Sequence, residues 1–114
     1  MGGSIIVAKQ NSVIVRTVYF DYLVERIREA FPQDAAGLKA KIQIYEPFDL
    51  GGMAFIVLDG QDVQGFNIFY QAAEQARSLA AQEEEAFARL EPLWNELLTS
   101  LRWDPRYAPN NEPV

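Results

Sequence analysis

Lys41-Ile42-Gln43-Ile44-Tyr45-Glu46 alternates polar and apolar side chains, and Pro47 follows directly. A period of two places Ile42 and Ile44 on one face of an extended strand. Pro47 has no N–H to donate, so it stops that strand or confines it to a sheet edge. Taken as a strand, this hexapeptide decides the fold. Asp49-Leu50-Gly51-Gly52 is then a turn, and Met53-Ala54-Phe55-Ile56-Val57-Leu58 is a second strand. The unbroken apolarity of that second strand predicts burial on both faces and a central place in the sheet.

Toward the N-terminus, Ser4 to Ala8 and Val13 to Val18 are rich in β-branched residues and flank the turn-forming Lys9-Gln10-Asn11-Ser12. This pattern predicts a β-hairpin. Met1 to Gly3 is left out of the fold reading, because it could be a cloning remnant. From Tyr19 to Phe31, the residues Phe20, Leu23, Val24, Ile27 and Phe31 recur at three-and-four spacing, the apolar stripe of a helix. Pro32 ends it. Gln33 to Lys39, with Gly37 inside, is read as a connection. Toward the C-terminus, Asp59-Gly60-Gln61-Asp62 is a turn with Asp62 as helix N-cap. An alanine-rich helix then runs from Val63 to about Arg89. Leu93, Trp94, Leu97, Leu98 and Leu101 make a further amphipathic stretch. Pro92 marks either a kink or a fresh helix between the two.

The resulting order is β-β-α-β-β-α-α. Turn-like connections within each strand pair favour antiparallel pairing. The expected fold is α+β: a four-stranded, mainly antiparallel sheet with helices packed on one face. Residues 1–103 form a single domain. Residues 104–114 carry three prolines and few apolar groups, and are expected to be a flexible C-terminal tail.

The 114 residues contain no histidine and no cysteine, which removes the triads, zinc sites and thiol chemistry built on them. No Gly-x-Ser-x-Gly elbow or phosphate loop replaces them. Asp59 to Asp62 lacks the ligand spacing of a calcium loop. No catalytic residue, metal or cofactor is therefore expected, and the chain leans away from being an enzyme. The longest apolar run is Met53 to Leu58, so no segment can span a membrane and none is expected to bind one. The lack of cysteine leaves the redox compartment open, and the cytoplasm is the expected location.

Net charge is −6 and unevenly spread. Met1 to Leu58 holds six basic and six acidic side chains, whereas Asp59 to Val114 holds four basic and ten acidic. A nucleic-acid binder needs a cationic footprint, and none is present. An anionic half steers instead toward a basic protein. Glu83, Glu84, Glu85, Glu91 and Glu96 are the candidate contacts, and their plainer use is a solvated helix face. The leading functional expectation is a small acidic interaction protein. It is analogous in composition to inhibitors and immunity-type proteins, with no motif that identifies a family. The alternative is a small-ligand or catalytic pocket between sheet and helices, lined by Tyr19, Tyr22, Tyr45 and Tyr70 with Arg16 orienting the ligand. The same tyrosines serve equally as core. The apolar C-terminal helices also offer a surface for a homodimer.

Overall fold

The computed structural model describes residues 2–107. Seven elements follow in order: β1 (Gly2–Ala8), β2 (Asn11–Arg16), α1 (Thr17–Glu29), α2 (Ala35–Asp49), β3 (Phe55–Val57), α3 (Val63–Glu83) and α4 (Phe87–Arg102). The class is α+β, but the sheet has three strands, not four, and it is mixed. Its order is β2-β1-β3, with β1 antiparallel to β2 and parallel to β3.

The missing strand is the hexapeptide at 41–46, which lies inside α2. Asp34 starts that helix by accepting a 2.8 Å hydrogen bond from the Gly37 N–H. Ile42 and Ile44 would share one face of a strand, but on a helix they lie about 200° apart. Their exposures decide it: Ile42 is 64% exposed and Ile44 0%. The buried set Gly37, Ala40, Ile44 and Tyr45 has helical spacing, which the short alternation concealed. Pro47 sits in the last turn of α2, where it removes one backbone bond without stopping the helix.

With α2 helical, β3 is reached from β1 across two helices, which explains its parallel pairing. Only Phe55 to Val57 are extended, and they lie at the sheet edge, not the centre. Ile56 is fully buried beside Ile5, while Phe55 and Val57 are half-buried. The central strand is β1. Gly2 and Gly3 belong to it, opposite Arg16 and Val15. A Cβ at Gly3 would lie 2.2 Å from the Phe20 ring, so only glycine lets α1 approach this closely. Ile5, Val7, Val13 and Val15 point into the core, while Ile14 is 74% exposed on the opposite face.

Two further boundaries differ from expectation. The helix from Val63 ends at Glu83, with Glu84 extended (φ −114°, ψ 121°), and α4 begins at Phe87. The break therefore precedes Pro92, which lies within α4. The expected tail falls partly in the described residues. Asp104 is 5% exposed, and its Oδ1 accepts the Arg106 N–H at 2.8 Å. The Arg106 guanidinium donates to Leu58 O (2.7 Å), Gln61 O (2.8 Å) and Val7 O (2.8 Å), and to both Asp104 oxygens (2.9 Å). It lies over the Phe66 ring at 4.6 Å. One side chain thus ties the ends of β1 and β3 to the start of α3. Residues 108–114 lie outside the described residues.

Candidate partner-binding surface

The five candidate glutamates are divided by the turn between α3 and α4. Glu83 and Glu84 lie 3.1 and 3.4 Å from the Arg26 guanidinium on α1. Glu84 Oε1 also accepts the Tyr22 hydroxyl at 2.6 Å. Burial, and then this carboxylate, push the Tyr22 hydroxyl pKa up to about 12. These two glutamates fasten the turn to α1. Glu91 is held 3.0 Å from Arg77 on α3. Glu91 and Glu96 are five residues apart on α4, so they project about 140° from each other. The five carboxylates do not form one patch. Among the described residues, only Glu85 and Glu96 of the five have no ion-pair partner.

The four tyrosines are likewise dispersed. Tyr45 is fully buried and donates to Val24 O at 2.6 Å, with burial raising its pKa. Tyr70 is 5% exposed, donates to Glu74 Oε2 at 3.0 Å and accepts from Arg102 Nε at 2.9 Å. Burial and the neighbouring Tyr107 hydroxyl raise its pKa. Tyr22 is committed to Glu84. Only Tyr19 remains at the surface, 39% exposed, and it shares a groove with Arg16.

That groove, of about 320 Å³, runs between β2 and α4. The two elements lie antiparallel. Asn11 at the start of β2 donates to Ser100 O near the end of α4 (3.4 Å), and Arg16 at the end of β2 shares the groove with Arg89 near the start of α4. Val15 faces the core and fixes β2 against the helices. That alternation leaves Ile14 and Arg16 exposed. On α4, Trp94, Leu97 and Leu98 are buried, which turns Arg89, Leu93 and Glu96 to the groove side. The apolar lining includes Ile14, Tyr19, Leu90 and Leu93, with Arg16, Arg89 and Glu96 around it. From the sequence, Arg16 and Tyr19 are expected together in a ligand pocket and Glu96 apart from them on an acidic surface; the groove brings all three together. Glu85 and Arg89 have i,i+4 spacing, but α4 begins only at Phe87 and no ion pair joins them among the described residues.

No described helix is long and apolar enough to cross a membrane. Among the described residues, no group of three or more acidic side chains is placed to hold a metal ion.

No family model matches the chain. The immunity protein CdiI of Burkholderia pseudomallei is 40% identical over 106 residues, covering 93% of this chain and 94% of that protein. A chain in the solved structure of the CdiA-CT toxin from Burkholderia pseudomallei E479 in complex with its cognate CdiI immunity protein is also similar. It superposes with a TM-score of 0.85 at 38% identity, over 93% of this chain and 99% of that one. Identity of this order along nearly the full length of both proteins identifies a small protein–protein interaction module, and this chain belongs to the family of the immunity protein CdiI.

Proposed function

We propose that this chain neutralises a CdiA-CT toxin by binding it. The observation that carries this reading is the full-length similarity to an immunity protein whose fold has been solved in complex with its toxin. The chemistry agrees with it. Histidine and cysteine are absent, and Tyr22, Tyr45 and Tyr70 are engaged in bonds to their own chain. The net charge of −6 supplies a long-range field that speeds encounter with a basic toxin domain. Glu85 and Glu96, which have no cation partner among the described residues, are the carboxylates best placed to contribute to it.

The test is co-production of this chain with the CdiA-CT toxin domain of the same strain. Growth should be restored, and the purified proteins should elute as one complex. Association should slow several-fold between about 50 and 300 mM salt, since the Debye length contracts over that range. Continued toxicity, with the two proteins eluting separately, refutes the proposal.

A further inference from the structure

Arginine pairing in this chain has two exceptions, and both fall in one place. Arg26, Arg28, Arg77, Arg102 and Arg106 each lie within 4.0 Å of a carboxylate. Arg16 and Arg89 have no such partner among the described residues. The chain carries sixteen acidic against ten basic side chains, so carboxylates are in surplus. Even Glu96, which lines the same groove, forms no ion pair with either arginine. Two guanidiniums on different elements therefore converge on the β2–α4 groove with their donors unanswered.

We propose that this groove takes an acidic side chain of the partner protein, gripped by Arg16 and Arg89. The inference rests on the reading of the chain as a toxin-binding protein. A guanidinium presents a planar fork that fits a carboxylate, and its hydrogen bonds to an ionised acceptor are among the stronger ones. Ile14, Leu90 and Leu93 provide the apolar floor against which a neighbouring apolar residue of the partner packs and excludes water. Tyr19 completes a set of aromatic and arginine side chains of the kind that concentrates binding energy. The overall negative field and this local cationic pair act at different ranges. The first steers a basic domain inward, and the second fixes its register. An apolar floor beside two cations fits a peptide segment better than a sugar–phosphate chain.

The test titrates the strain's own CdiA-CT toxin domain calorimetrically against wild-type protein, Arg16→Glu/Arg89→Glu, Arg16→Lys/Arg89→Lys and Lys41→Glu. Lys41 lies on α2, away from the groove, and its reversal makes half the net-charge change of the double variant. The double reversal should weaken binding by at least about 100-fold. The lysine pair should retain part of the affinity, and Lys41→Glu should change Kd by less than about threefold. Among the described residues both arginines lack ion-pair partners, so unfolding midpoints should stay at the wild-type value. Wild-type binding that survives the double reversal overturns the groove assignment and leaves the immunity reading intact. Equal losses from Lys41→Glu and the double reversal overturn it as well, by reducing the effect to bulk charge. A wild-type chain that dimerises in sedimentation, and is made monomeric by the reversal, identifies a second copy as the occupant and overturns the assignment to a toxin. Failure of the wild-type protein to bind at all removes the reading on which the inference rests.

Discussion

Replacing Arg106 with alanine should destabilise the fold more than replacing any other arginine. Its guanidinium makes five hydrogen bonds, to three backbone carbonyls and both oxygens of Asp104. The Asp104 side chain is 5% exposed and that of Arg106 18%. Removing the cation leaves a buried carboxylate without its counter-charge, which costs about 3–5 kcal/mol. The lower end alone corresponds to a fall in Tm of roughly 12 °C or more in a domain of this size. Urea unfolding can be followed by fluorescence, because Trp94 is fully buried while Trp103 is 81% exposed and changes little. Arg102→Ala is the comparison. That guanidinium is 48% exposed and 3.9 Å from Glu74, so its ion pair contributes about 0–1 kcal/mol. Adding Asp104→Ala to Arg106→Ala should recover part of the loss, since the stranded charge is then gone. A loss below about 1 kcal/mol for Arg106→Ala, or no recovery in the double variant, would refute the account of this side chain as the clamp on β1 and β3.

The same pair sets a dependence on acid. The Arg106 guanidinium, and then its backbone N–H, hold the Asp104 carboxyl below the usual carboxylate range against the opposing effect of burial. The folded state therefore binds fewer protons than the unfolded state across that range. The contribution is complete at neutral pH, declines as pH falls through the ordinary aspartate value, and is lost below the depressed one. A pH series of urea midpoints should show this decline in wild type and a flatter profile in Asp104→Asn. At the start of α3, Asp62 Oδ1 accepts the Gly65 N–H at 2.8 Å, so Asp62→Ala should cost about 1 kcal/mol in the same unfolding assay.

Much of the fold was legible where sequence periodicity was long. The stripes of α1 and α3 repeat over several turns, and the hairpin is announced by β-branched runs about a polar turn. The region 41–46 failed because six residues with two isoleucines satisfy both periods, and Asp34 as an N-cap was the overlooked signal for a helix. The break at Glu84 was equally hidden. Residues 83–85 are acceptable inside a helix, and what ends α3 there is a contact with Tyr22 and Arg26 on α1. The same long-range pairing explains why the acidic surface was only half legible. Net charge can be counted along a chain, but which carboxylates answer internal cations depends on distant partners, as with Arg26, 57 positions from Glu83 and also paired with Glu84. For the same reason the groove unites Arg16 and Tyr19, read as pocket residues, with Glu96, read as part of the acidic surface.

Arg106 and Val7 are 99 positions apart in the chain, yet they share a hydrogen bond. During translation β1 and β3 emerge long before the guanidinium that seals them. Loop closure over such a span is entropically costly and slow. A chain stalled or cleaved before Arg106 is thus expected to lack this seal, and limited proteolysis of a chain ending before that residue should cut it faster than the full-length protein.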